Sequence, residues 1–358
     1  MKKILPIICL LMSLSTYIFA QKDIVKYHNL EVHGKYGSGF SKYHRVDTLK
    51  YFDMPTAVKK LFTHSTGMFV TFKTNAKTVY AKWCVSNKKM NLNLTAIANK
   101  GLDIYIKNTE GKWQYAFSKG TAEICDEQKI LDNLDGSEKE ILVYLPLYDE
   151  VKSLEIGVPQ NTTFAELQNP FKKNIIIYGS SIVHGASAGR SGMTYPAILS
   201  RRTGLNFINY GLSGNAKMEK EVAHMLGNQN PDLFILDCVP NSSPEQITDR
   251  TSYLINYLRE KHPNTPIILI PTIVREVSHF NETWKVRNAL QIKNWKIEYE
   301  KLIKSGVKHL YYLDNEKLIG DDHEGTTDGV HPNDLGFMRM ADNIQPFVIQ
   351  VLKKHKII

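Results

Sequence analysis

Asn174-Ile175-Ile176-Ile177-Tyr178-Gly179-Ser180-Ser181-Ile182-Val183-His184-Gly185 is the stretch whose reading decides the fold of this chain. Residues 174–178 read as a strand whose unbroken apolar run, Ile175-Ile176-Ile177-Tyr178, is the pattern of a strand buried on both faces. Such strands belong to parallel sheets covered by helices on either side. Ligands of these sheets bind beyond the carboxyl ends of the strands. This run ends in Gly179-Ser180-Ser181, so hydroxyl groups stand where chemistry is expected.

Downstream, strand and helix patterns alternate. A helix is expected from Thr194-Tyr195-Pro196, a strand over 206–210 and a helix over 217–226. A third strand follows over 232–238, and Pro244, suited to a first helical turn, opens a helix to 262. A fourth strand (266–272), a helix (283–304), a fifth strand (307–313) and a closing helix (335–353) complete the half. The expectation is a five-stranded parallel sheet with helices on both faces. The second strand runs into Gly211-Leu212-Ser213-Gly214-Asn215, and the third into Val239-Pro240-Asn241-Ser242. After the fifth comes Asp328-Gly329-Val330-His331-Pro332.

Upstream the pattern is different. Short runs rich in β-branched and aromatic residues, such as Gly67-Met68-Phe69-Val70-Thr71-Phe72 and Val79-Tyr80-Ala81-Lys82-Trp83, recur between turn residues. Residues 21–165 are therefore expected to form an all-β sandwich. Segment 161–170 reads as a linker to a second domain over 171–358. Residues 1–20 read as a secretory signal peptide, with Lys2 and Lys3 before an apolar stretch and Ala20 before Gln21. The protein is thus expected to be secreted or periplasmic.

A chain of 358 residues with 42% hydrophobic residues can fill two domain cores. The formal charge of +9 comes from scattered lysines, with no basic stripe interleaved with aromatics, so nucleic acid is not an expected partner. Outside the signal segment stand Cys84, Cys125 and Cys238. Three cysteines are no disulfide framework, although Cys84 can pair with Cys125, and Cys238 reads as a buried strand residue. No CxxC or His/Cys cluster argues for a metal, and no cofactor is expected.

Serine, glycine, asparagine and an Asp/His pair would converge at one sheet edge. That is the inventory for acyl transfer: a nucleophile, a base with its orienting carboxylate, and donors for an oxyanion. An imidazole that is to take a proton on one nitrogen needs an acceptor at the other. The Asp-x-x-His turn supplies both locally.

These blocks, in this order, resemble the SGNH (GDSL) hydrolases. The resemblance implies a jelly-roll-like sandwich followed by a flavodoxin-like three-layer domain, and it assigns roles to residues. Ser181 takes the nucleophile position, Asp328 and His331 complete the triad, and Ser181, Gly214 and Asn241 supply the oxyanion hole. Gly101-Leu102-Asp103-Ile104-Tyr105 is similar to the Gly-x-Asp-Leu-Tyr motif of sandwich domains that precede SGNH domains. Two blocks depart from the family. Ser180 stands where Asp is usual, which makes Ser180 a rival nucleophile, and Val239-Pro240-Asn241-Ser242 replaces Gly-x-Asn-Asp.

Blander readings stand beside these. Ser181 could cap a helix, Gly214 could be a turn glycine, and Asn241 could open a helix. His184 is a rival base by proximity. Arg275 could touch substrate, although a solvated loop arginine is the favoured reading. Trp284 and Trp295 could stack on sugars, but at helical spacing they read as packing residues. The resemblance implies a secreted serine esterase, and the two-part layout favours O-acetyl groups on carbohydrate as substrate. A lipase or broad acylhydrolase, and a non-catalytic glycan-binding protein, are the alternatives.

Overall fold

Three sheets organise the described residues, two antiparallel and one parallel. The computed structural model describes residues 24–38, 40–314 and 317–358. The expected signal peptide lies outside them. In the N-terminal half β1 (Val25–His28), β2 (Phe69–Thr74), β3 (Val79–Val85), β4 (Leu102–Lys107), β5 (Trp113–Lys119), β6 (Cys125–Leu131), β7 (Lys139–Tyr144), β8 (Val151–Pro159) and β9 (Phe164–Glu166) form two facing sheets. Their orders are β1-β8-β3-β6 and β5-β4-β7-β2-β9. Alternation explains the packing: Val79, Ala81, Trp83 and Val85 of β3 are buried, while Tyr80, Lys82 and Cys84 are only partly covered. Cys84 and Cys125 face each other across β3 and β6 and are joined as a disulfide. Cys238 is free and buried.

The expected linker is in part a strand. Residues 164–166 pair antiparallel with Phe72–Thr74 through Phe72↔Glu166, Lys73↔Ala165 and Thr74↔Phe164. Phe164 stacks on Phe72, and this aromatic contact holds the segment to the sandwich edge. Two helices, α1 (Thr56–Phe62) and α2 (Ala96–Lys100), interrupt the half.

The second half is the expected five-stranded parallel sheet: β10 (Lys172–Gly179), β11 (Leu205–Gly211), β12 (Leu233–Asp237), β13 (Ile267–Leu269) and β14 (Leu310–Tyr312), ordered β11-β10-β12-β13-β14. That order reverses direction between β10 and β12, the switch point at which such sheets bind ligands. The helices are α3 (Ser181–His184), α4 (Tyr195–Thr203), α5 (Lys220–Gly227), α6 (Pro244–Lys261), α7 (Glu282–Lys304) and α8 (Asp334–Lys354). Along β10 alternate side chains enter opposite cores. Ile176 and Tyr178 join Val222, Leu254 and Trp295, whereas Ile175 and Ile177 join Tyr195, Phe337 and Val348.

The halves share cores. Val58 and Phe62 of α1 pack into one face of the parallel sheet, and Leu147 and Ala98 into the other. Phe69, Tyr105 and Tyr144 meet Phe171 and Ala197. Arg45, fully buried, donates to the carbonyls of Asn209 and Gly211 at the end of β11, at 2.8 and 2.9 Å. The Gly-x-Asp-x-Tyr segment forms a clasp. The buried Asp103 carboxylate accepts from the Gly192 amide at 2.7 Å and the Arg190 guanidinium at 2.9 Å, and Tyr105 also accepts from Arg190.

Candidate active site

Ser181 is the first residue of α3, two residues past the end of β10. Ser180 is the N-cap: its Oγ accepts from the Ile182 amide at 3.2 Å, and its own amide donates to the Asp237 carbonyl at 3.3 Å. The hydroxyl that sequence left as a rival is therefore spent on capping and fully buried. Ser181 keeps a sliver of exposure, 7%. As the first helical residue, its amide has no intrahelical carbonyl to donate to.

His331 Nε2 lies 3.0 Å from Ser181 Oγ, and His331 Nδ1 lies 2.8 Å from Asp328 Oδ2. A carboxylate only accepts, so Nδ1 carries the proton and Nε2 is left as the acceptor facing the serine. The turn is closed on itself: Asp328 Oδ1 accepts from the amides of Val330 and His331 at 3.0 and 2.8 Å. Partial burial raises the Asp328 pKa. The hydrogen bonds from the His331 ring and from these amides outweigh that and hold the carboxyl below its usual range.

The loops carrying Gly214 and Asn241 are tied to the same edge. The Leu212 amide donates to the Gly179 carbonyl at 2.8 Å, which sets the second loop beside the serine turn. Gly214 has φ +70 with open space where a Cβ would stand, so backbone conformation, not crowding, calls for glycine there. Asn241 Nδ2 donates to the Asn215 carbonyl at 2.7 Å, which brings Asn241 to the residue beside Gly214 and leaves its second amide hydrogen for another acceptor.

Beneath this edge lies Asp237, the last residue of β12, with Oδ2 accepting from the Tyr195 hydroxyl at 2.9 Å. Burial pushes its carboxyl up to about 7, against the opposing pull of the Tyr195 hydrogen bond and the Arg275 charge.

One expectation is corrected. Arg275 is not a solvated loop arginine, being 2% exposed. Its guanidinium donates to Asn288 Oδ1, Gln291 Oε1 and the Pro240 carbonyl at 3.0, 3.1 and 2.9 Å. Gln291 in turn donates to the Ser242 carbonyl at 2.6 Å, so both side chains brace the Asn241 loop. Nothing local announces this, because the partners sit on α7 and on the Asn241 loop. His184, the rival base, faces the sandwich: its Nε2 donates to the Leu147 carbonyl at 2.8 Å and its ring stacks on Tyr148. Burial holds it well below the usual histidine range, and it stays neutral. Trp295 is a core residue, as expected, whereas Trp284 is half-buried with the Arg275 guanidinium 5.2 Å from its ring.

One site residue escaped the sequence altogether. Asn93, on the loop before α2, donates to Asp328 Oδ2 at 3.3 Å across 235 positions. Asn99 pins that loop, its side chain bonding Asn91, Leu94 and Thr95. Behind it the buried Lys100–Asp149 ion pair fixes the loop's base through the Asn87 carbonyl and the Ser86 amide. Thr95 donates to the Gly189 carbonyl at 2.6 Å, stitching the loop to the other half.

Residues 172–350 match the GDSL-like lipase/acylhydrolase family, and residues 23–164 match the N-terminus of esterases of the SGNH-hydrolase type. A Bacteroides ovatus protein described as a GDSL-like lipase is 50% identical, with a TM-score of 0.90 over 92% of this chain and 98% of that one. Salicylyl-acyltransferase SsfX3 from a tetracycline biosynthetic pathway is 17% identical, with a TM-score of 0.71 over 92% and 95% of the two chains. A family two carbohydrate esterase from Cellvibrio japonicus is 12% identical, with a TM-score of 0.59 over 92% and 99%. No curated protein matches the chain.

Proposed function

We propose the following for this chain, which belongs to the GDSL-like lipase/acylhydrolase family and is an ester-bond hydrolase: Ser181, His331 and Asp328 form its catalytic triad, and O-acetyl groups on carbohydrate are its substrates. The observation that carries the triad is the hydrogen-bond chain from Asp328 through both ring nitrogens of His331 to Ser181 Oγ. His331 takes the hydroxyl proton as Oγ attacks the ester carbonyl. Asp328 holds the ring in that tautomer and stabilises the imidazolium. The Ser181 and Gly214 amides and the Asn241 side chain face the oxyanion. The alcohol departs with the proton from His331. Water, giving its own proton to His331, then releases the acid and restores Ser181.

The carbohydrate reading rests on likeness of architecture: an esterase of the same two-part fold acts, by its name, on carbohydrate. Secretion is part of the proposal. It is supported by the residues at the amino terminus and by the Cys84–Cys125 disulfide, a bond that persists in oxidising compartments.

Ser181→Ala tests the chemistry. The variant should fold, lose hydrolysis of an aryl acetate by on the order of 10⁴-fold or more, and no longer be labelled by an organophosphonate. Retained turnover would end the triad assignment. Release of acetate from acetylated oligosaccharides, set against cleavage of long-chain esters, tests the substrate. A clear preference for long chains replaces the carbohydrate reading with a lipase.

A further inference from the structure

We infer that Glu276, His279 and His323 form a binding site for a divalent transition-metal ion of the zinc class, set against the back of the loop that carries Asp328 and His331. Glu276 and His279 begin and end a 3-10 helix (Glu276–His279). With three residues per turn, positions i and i+3 eclipse, so both side chains leave the same side. His323 comes to them from a loop 44 positions on, with its backbone at φ +66, a left-handed conformation uncommon for residues other than glycine. That position is anchored on both flanks. Asp322 receives two hydrogen bonds from Arg339, at 2.6 and 2.7 Å, and the Glu324 carbonyl accepts from Asn333 at 2.7 Å.

The donor atoms converge. Glu276 Oε2 lies 2.8 Å from His323 Nδ1 and 3.7 Å from His279 Nε2, and one donor atom from each residue lies within 4.8 Å of the others. Ligands about 2.0–2.2 Å from a tetrahedral zinc stand roughly 3.3–3.5 Å apart. The two carboxylate–imidazole separations straddle that spacing, so shifts of a few tenths of an ångström in side chains bring them to it. The rings are 4.8 Å apart and nearly perpendicular. Both imidazoles turn toward one carboxylate. Without the ion, His323 Nδ1–H donates to the Glu276 carboxylate; a zinc-class ion takes the tautomer protonated on Nε2 instead, so that each imidazole presents a lone pair beside an anion.

Exposure rises from Glu276 (19%) to His279 (41%) and His323 (62%). Three protein ligands at a rim leave coordination positions to water, unlike a closed structural site. The placement gives the ion a consequence. The Val277 amide, inside the same 3-10 helix, donates to the Gly329 carbonyl at 3.0 Å. A bound ion would join this helix to the 320–324 loop and stiffen the support of the Asp328–His331 turn. The site does not depend on the triad assignment, since its ligands are other residues and its test reads binding.

The experiment uses mature protein free of affinity-tag histidines and stripped with chelator. Co²⁺ is titrated while its visible absorption is followed, Zn²⁺ is used to displace it, and the melting temperature is read with and without Zn²⁺. One ion per chain, with a Zn²⁺-dependent rise in melting temperature, is expected. His279→Ala and His323→Ala should each weaken binding by about 10²-fold and remove the rise, and Glu276→Gln by at least 10-fold. Each variant is first checked for an unaltered melting temperature without metal, and the single variants substitute for one another should one fail to fold. Absence of stoichiometric binding below about 100 µM Zn²⁺, or equal affinity in the His279→Ala/His323→Ala double variant, overturns the site.

Discussion

Asp237 and Asp328 lie on chain segments that reach the same edge of the parallel sheet, one in its floor and one on its rim, and their surroundings push them in opposite directions. Asp237 is closed off under Ser180 and Tyr195, and burial lifts its carboxyl to about 7. Asp328 is partly open, and its hydrogen bonds overcome a smaller burial effect to keep it ionised. The floor is positioned by the fold: strand register sets Gly179 against Asp237 and Gly211. The rim is a four-residue turn that makes its own bonds and then borrows braces, from Asn93 on one side and Val277 on the other. A carboxylate that donors can reach is held ionised, while one sealed in the floor is pushed toward its protonated form.

If that division holds, Asp328→Asn gives the largest effect. The amide can present its NH₂ to His331 and favour the wrong tautomer, and turnover should fall by about 10³–10⁴-fold. The melting temperature should move little, because the turn is at the surface. Ester-hydrolysis kinetics with thermal melts read both quantities. A small kinetic loss with a large melting shift would make Asp328 a structural residue and erase the contrast.

The Asn93 brace predicts a smaller effect. Its hydrogen bond is neutral on the donor side and partly open to water, so Asn93→Ala should lower kcat/KM by about 2–10-fold. Asn93→Asp sharpens the test. A second carboxylate against Asp328 disfavours its ionised form, so the acid limb of the pH–rate profile should move to higher pH. An unmoved limb would mean that the sandwich half does not touch the chemistry.

Legibility in the sequence followed the same division. Residues 175–178 read as a doubly buried strand because every side chain there is apolar, and both faces of the sheet use them. The fourth strand, expected over 266–272, pairs only over Ile267–Leu269, since Pro266 and Pro271 bring no amide to a ladder. β6 escaped notice because Cys125-Asp126-Glu127-Gln128-Lys129 is a polar edge with little to bury. α1 escaped because seven residues show little periodicity, and its role is to cover the other half's core. At the site, Ser181 and the Asp328–His331 turn were visible as short motifs. Asn93, the burial of Arg275 and the meeting of His323 with Glu276 were not, because each is a contact between segments far apart in sequence.

The smallest effect belongs to the floor. Asp237 has its folded pKa raised toward about 7, above an unfolded aspartate near 3.9. A raised carboxyl favours the folded state while it is protonated. Its contribution is therefore fully present below the unfolded value and is lost as pH rises through the folded one. Between about pH 4 and pH 7 the protein should lose some stability from this group alone. Asp237→Asn keeps an oxygen for the Tyr195 hydroxyl and removes the titration. Melting temperatures of wild type and variant, taken from pH 4.5 to 8, should converge at the acid end and separate toward neutral pH, the variant being flatter. Turnover of an aryl acetate should change less than with any rim substitution. Parallel melting profiles would mean that Asp237 stays ionised over the whole range. The floor would then hold a charge much as the rim does, and burial would no longer be what separates the two aspartates.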